Sequence, residues 1–422
     1  MTKMRKLVFI PGILWVFQQL CADDAPIAVS TQATERVAIH AILCSGEQGD
    51  PEYVAQLCKA LEFSGHCRIV RDSGSLPTHR DMIKAQREAG YPLVLYLQPH
   101  EMYGYSWRLY DTATGQMLGG KRYAREGNKE QSIVLRAADD IYQLLQGKRG
   151  PFLSRIAYVR TKADPITRAV SSVLCTTAYD GSDIREEVVS RHVLVAPFFH
   201  PAGYPKCLFY SEFTPTNVRI MATDCAGNSR AVVDRDGTHV GVGMSLQRPE
   251  VVYCSSGQIW QCKYDPIIHR AAHRMMVDRV DGAPCASPNL LPDGSYIFCA
   301  GGTIYQHDPT THSTVSLTSN CYAVSPYYSP GAQGVAYARR VQGIFQIFWY
   351  DCVTHTHTQI TTGSHDKADP AVSPCGNYVI YVREEGKTSR IIIEHRNTHM
   401  QHAVTSSGVR CAYPAWSPFY TD

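Results

Sequence analysis

The groups in this chain with the clearest chemical potential are paired histidines, serines flanked by glycine, and an acidic residue that keeps returning. His269 and His273 are four apart in His269-Arg-Ala-Ala-His273, a spacing that would turn both imidazoles toward one metal ion if the segment were helical. No His-Glu-x-x-His pattern accompanies them and no third ligand is marked by spacing. His355 and His357 are two apart and would share one face of a strand, most simply an exposed one. Gly104-Tyr-Ser-Trp-Arg108 and Gly243-Met-Ser-Leu-Gln247 each begin like a nucleophile elbow and fail at the final glycine. Cys44-Ser-Gly-Glu-Gln-Gly-Asp50 follows a predicted strand, but its glycines have the wrong offsets and its carboxylates would repel a phosphate. No pair of carboxylates stands apart from the rest as glycoside hydrolysis would need. The sequence therefore assigns no catalytic residue, no metal ligand set and no cofactor.

The recurring acidic residue leads to the architecture. It closes a strand-like run at Asp180, Asp224, Asp265, Asp308 and Asp351, and His395 takes its place in the sixth copy, at intervals of 44, 41, 43, 43 and 44. A mark shared by nearly every copy reads as a turn-fixing group rather than a catalyst. An aromatic inside a short apolar run repeats in step at Tyr158, Tyr210, Tyr253, Phe298, Tyr337 and Tyr381. A third mark, Pro-x-x-x-Pro, stands at Pro197/Pro201, Pro288/Pro292, Pro326/Pro330, Pro370/Pro374 and Pro414/Pro418; the third copy lacks it and has Gly243 near that place. A period near 44 in β-branched and aromatic runs separated by turn residues is the pattern of four-stranded propeller blades. The second proline suits a tight turn after the innermost strand, and the first is tolerable on a strand with a neighbour on one side only.

The proline-marked strand and the aromatic strand each occur six times but are offset by one blade. The last proline pair, in Tyr413-Pro-Ala-Trp-Ser-Pro418, is therefore expected to complete the first blade and leave no open edge. Residues 151–422 are predicted to form this six-bladed ring.

Ahead of it, residues 35–148 read as strand, helix, strand, helix, strand, hairpin, helix, with helices over Pro51–Phe63 and Pro77–Ala89 and a closing helix over Ser132–Leu145. One mixed sheet covered by helices buries those faces, which makes the chain a small α/β domain followed by a six-bladed β-propeller closed by the C-terminal strand.

Residues 1–22 have the layout of a cleaved secretory signal: Lys3, Arg5 and Lys6, then an apolar stretch, then Leu20-Cys-Ala before Asp23. Leu20 does not suit a lipidated Cys21. The following segment, 23–34, is short and aperiodic. A formal charge of +3 over 422 residues, with no basic stripe, argues against nucleic acid. The 15 cysteines fit either buried free thiols or several bridges. Tyr264 to Ala286 is longer than a connection needs; it would serve as a contact surface or pack against the N-terminal domain.

Past the signal, the chain resembles the TolB family, the periplasmic propeller component of the Tol-Pal system. The resemblance rests on Trp107-Arg-Leu-Tyr-Asp111, Gly120-Lys-Arg-Tyr123, Ala137-Ala-Asp-Asp-Ile-Tyr142, Gly150-Pro-Phe with Ser154-Arg-Ile-Ala-Tyr-Val159, and Pro414-Ala-Trp-Ser-Pro418. It departs in its cysteine load and in keeping Asp-Gly after the turn proline only at Asp293-Gly294. The resemblance implies a non-catalytic hub. A Pal-like peptidoglycan-associated lipoprotein would dock at one propeller face, and a TolA-like inner-membrane protein would take the processed N-terminus, with Asp23, Asp24, Pro26 and Ile27 as the first contacts. Its role would be outer-membrane integrity and cell division. A secreted propeller enzyme or a carbohydrate-binding module is the competing reading.

Overall fold

The computed structural model describes residues 37–44, 51–74, 79–100, 104–124, 130–163, 170–201, 207–224, 227–245, 247–263 and 273–419. The segments 1–22 and 23–34, and with them Asp23, Asp24, Pro26 and Ile27, lie outside the described residues, as does His269.

The N-terminal part is a five-stranded mixed sheet with three helices. Its strands are β1 (Val37–Cys44), β2 (Cys67–Gly74), β3 (Leu93–His100), β4 (Gly104–Asp111) and β5 (Met117–Tyr123), ordered β2-β1-β3-β4-β5. The first three are parallel and β3-β4-β5 is an antiparallel meander. The helices are α1 (Pro51–Phe63), α2 (His79–Glu88) and α3 (Glu130–Gln146). Leu93 to Leu97 are all buried, the unbroken apolar run expected of a strand covered on both faces. Helix α1 lays Val54, Leu57, Cys58 and Leu61 into the core, and Pro51 opens it without losing a hydrogen bond. Gly90 ends the α2 segment at φ +82°, where its amide bonds Arg87 O and the Tyr91 amide bonds Gln86 O.

Residues 155–416 form six four-stranded antiparallel sheets. Blades 2 to 6 span 193–233, 239–277, 285–316, 323–359 and 367–403. Blade 1 takes three strands from 155–190 and its innermost strand from Cys411–Trp416. The six innermost strands touch one another in succession, and the sixth returns to the first, so the ring is closed. The repeating aromatics occupy the second strand of each blade with at most 2% of their surface exposed, which seats one large ring between each blade and the next.

The innermost strands share a feature that the sequence pattern only hints at. Each carries a bulge at a residue in the left-handed region: Ala196 (φ 49°), Gly241 (72°), Ser287 (51°), Ser325 (52°), Asp369 (48°) and Tyr413 (54°). In five blades the next residue is the first proline of the pair. The proline therefore stands where the ladder is already broken and its missing amide costs nothing. Blade 3 reaches the same conformation through Gly241, followed by Val242. Gly243 answers a different need, since a Cβ there would lie 2.5 Å from Pro288 O on the neighbouring inner strand.

The repeating acidic residues fix turns where they are described; Asp265 lies outside the described residues. Asp351 Oδ1 accepts from the Val353 and Thr354 amides at 2.9 and 2.8 Å, Asp308 Oδ1 from Thr310 N at 2.8 Å, and Asp224 Oδ1 from Asn228 N at 2.8 Å. In blade 6 the ring nitrogen Nδ1 of His395 accepts from the Asn397 and Thr398 amides at 3.3 and 3.2 Å, so an imidazole does there what a carboxylate does elsewhere.

The histidine expectations need two corrections. His357 is not exposed: it is 7% accessible, with Nδ1 2.7 Å from the Tyr337 hydroxyl, because the strand His357–Gln359 turns that side chain inward. His355 belongs to the preceding turn at φ 56°, so the two share no strand face. His273 opens the strand His273–Val277 rather than a helix, and its Nδ1 meets the Tyr253 hydroxyl at 2.9 Å. That strand, with Arg274 and Met275 exposed, accounts for part of the long segment after Tyr264. The twelve described cysteines from Cys58 to Cys411 are free thiols and ten are buried. Burial raises the thiols of Cys58, Cys67, Cys175 and Cys262 to about 11, which leaves them protonated packing groups.

Candidate docking face

The alternation of strand direction sorts the propeller loops into two sets. Turns joining strands one to two and three to four lie on one face; hairpins joining two to three, and connections between blades, lie on the other.

The first face carries the N-terminal domain. Phe63 at the end of α1 packs on Tyr378 (centroids 5.6 Å apart) and Tyr179 (6.0 Å), and Phe152 meets both Tyr142 (5.7 Å) and Tyr179 (5.4 Å). Asn377 Nδ2 donates to the Tyr142 hydroxyl at 2.9 Å. Asp139 Oδ1 accepts from Gly150 N at 2.9 Å, pinning the linker where α3 hands over to the ring; burial raises this carboxyl to about 6. One continuous core runs from the N-terminal sheet into blades 1 and 6, so the two parts are packed together rather than tethered.

Among the described residues the opposite face is free of the N-terminal domain, and it is built differently. In the connection into blade 5, Tyr322 stands 51% exposed beside Phe345 of the next hairpin, at 6.1 Å between rings. The exposed Arg340 guanidinium lies 5.8 Å from the same Phe345 ring. Asp366 Oδ1 accepts from Phe345 N at 2.7 Å and holds the hairpin in place. Gly302 leaves the space for Tyr322, since a Cβ there would sit 2.5 Å from its ring.

A charged group lies on the same face in blade 6. Arg383 and Arg390 converge on Glu385 at 2.7 Å each; the Arg390 hydrogen bonds hold that carboxyl below its usual range. Nearer the axis, Tyr413 is 36% exposed and Ser325 Oγ donates to Asp369 Oδ1 at 3.1 Å. Phe213 and Val193 add exposed apolar surface around the rim. Aromatic residues beside arginines, with ion-paired groups on the neighbouring blade, make the composition of a protein-docking surface.

Where they are described, the groups first considered for chemistry are built into strands and turns. Ser245 Oγ donates to Gln247 Oε1 at 2.7 Å, and Ser106 is buried in β4. Among the described residues no three His, Cys, Asp or Glu side chains are grouped to hold a metal ion. Sequence reading missed Tyr322, Phe345 and Arg340. Their signal was positional: they fall just before an inner strand and within a second-to-third hairpin, the places that face away from the N-terminal domain.

A family profile described as TolB beta propeller domain matches residues 142–420. The chain belongs to the TolB beta-propeller family. Among TolB relatives, the Tol-Pal system protein TolB of Geobacter metallireducens is 32% identical over 97 residues, 23% of this chain and 21% of that one. That of Albidiferax ferrireducens is 28% identical over 195 residues, 44% of each. The matched region thus spans less than half the length of either curated relative. The crystal structure of TolB from Acinetobacter baumannii superposes with a TM-score of 0.74 at 22% identity, over 94% of this chain and all of that one, so the α/β-plus-propeller fold of TolB is shared. Among the described residues no helix is long and apolar enough to cross a membrane.

Proposed function

We propose that this chain is an exported, non-catalytic adaptor of the Tol-Pal system. Residues 1–22 direct export to the periplasm and are removed. The remaining chain binds a Pal-like peptidoglycan-associated lipoprotein on the propeller face that points away from the N-terminal domain. The segment 23–34, beginning at Asp23, Asp24, Pro26 and Ile27, is taken by a TolA-like inner-membrane protein. Bridging the two supports outer-membrane integrity and cell division.

The observation that carries the reading is the cluster of exposed Tyr322 and Arg340 on half-buried Phe345, in a TolB-family propeller whose other face is occupied by its own domain. Truncating a central aromatic anchor commonly costs about 2 kcal/mol or more of binding, roughly 30-fold in affinity. The mature protein is expected to capture a peptidoglycan-binding lipoprotein from envelope extract. The double variant Tyr322→Ala, Phe345→Ala should lose that capture while keeping the far-UV circular dichroism of the folded propeller. Deleting 23–34 should leave it intact while abolishing capture of the inner-membrane partner. Lipoprotein capture by the double variant at wild-type level would refute the assigned face.

A further inference from the structure

At the end of the channel nearest the N-terminal domain, the six innermost strands run into their proline-glycine turns and enclose a cavity of about 540 Å³. Every blade contributes: Phe199 from blade 2, Met244 from blade 3, Leu290 from blade 4, Tyr327 from blade 5, Val372 from blade 6 and Trp416 from the closing strand. No acidic or basic residue is among the lining residues. The volume lies within the range of sites that enclose a small organic molecule.

The lining offers a few polar groups with spare bonding capacity. The hydroxyls of Tyr327 and Ser329 have no hydrogen-bond partner among the described residues, and the Gln247 carboxamide accepts from Ser245 while its nitrogen has none. Burial lifts the Tyr327 phenol to about 12, so it remains a donor throughout the physiological range. A phosphate, a carboxylate or a metal ion would find no countercharge in this lining and would forfeit its hydration. A flat or branched apolar body would bury its surface against prolines and aromatic rings, with one acceptor atom met by Tyr327.

We propose that this cavity is a binding site for a neutral, mainly apolar small molecule bearing a hydrogen-bond acceptor. It lies on the face opposite the aromatic docking cluster, so it stands independently of the adaptor role.

The probe is 6-propionyl-2-dimethylaminonaphthalene, a neutral ketone whose emission reports its surroundings, titrated into the mature protein. Saturable one-to-one binding is expected. Gln247→Trp, at an exposed lining position, should narrow the mouth and weaken binding about tenfold at an unchanged melting temperature. Tyr327→Phe, which keeps the ring and removes the donor, should weaken it roughly fivefold. Absence of saturable binding, or affinity unchanged in both variants, would overturn the proposal.

Discussion

Trp416→Ala should cost about 3–5 kcal/mol, the range for deleting a fully buried large aromatic. In a protein of this size that is a fall in melting temperature of roughly 3–6 °C. Trp416 is 3% exposed and sits where the last strand of the chain meets the first strand of the ring. Its indole Nε1 donates to Ser154 Oγ at 2.7 Å, and its ring packs 6.3 Å from that of Tyr378 in blade 6. Two backbone contacts hold the same seam: Arg155 N donates to Ser417 Oγ at 2.8 Å, and Ser417 N to Arg155 O at 2.9 Å. The substitution thus removes apolar burial shared by blade 1, blade 6 and the closing strand together. Thermal unfolding followed by circular dichroism is the check. A loss below about 1 kcal/mol, the scale of an ordinary surface change, would mean that the seam is not a principal lock.

Gly65→Ala should destabilise the protein by roughly 2–4 kcal/mol, combining the cost of a side chain in the left-handed region with overpacking. Gly65 holds φ +75°, and a Cβ there would stand 2.8 Å from Nε2 of His395 in blade 6. The imidazole has nowhere to retreat. Its Nδ1 accepts the Asn397 and Thr398 amides, its ring is 2% exposed, and it packs edge-on against Tyr378 at 5.0 Å. Adding His395→Asn keeps an acceptor for the turn and removes the ring. That second change should return the steric part of the loss and leave about 1 kcal/mol from backbone strain. Chemical denaturation of the two single variants and the double variant measures the coupling. Simple additivity would mean that Gly65 and His395 do not press on one another.

Much of the architecture was legible because it is written in repeats. The spacing of Tyr158 to Tyr381 and of Asp180 to Asp351 located the strands of every blade and the described turns, and the one-blade offset of the proline pairs announced the closing strand. The helix over Pro51–Phe63 was readable to the residue, because its apolar period and its terminal proline agree. What remained hidden depends on contacts distant in sequence. The bulge before each first proline is a backbone conformation with no residue type of its own, since alanine, glycine, serine, aspartate and tyrosine all serve. His395 broke the acidic pattern visibly, but its second contact, with Gly65, lies 330 positions away. His357 looked like a surface residue until the phenol of Tyr337 supplied a buried partner. The docking face was the least legible part, because Tyr322, Phe345 and Arg340 are ordinary residues until the ring brings two loops of one blade side by side.

Everything here depends on residues 411–416 completing the first blade. Amide hydrogen exchange of the full chain tests that pairing directly, because the hydrogen-bonded amides of Cys411–Trp416 belong to the same cooperative sheet as Arg155–Ala163. They are predicted to exchange as slowly as the core of that partner strand. Exchange of 411–416 within seconds, beside a protected 155–163, would contradict the closed ring.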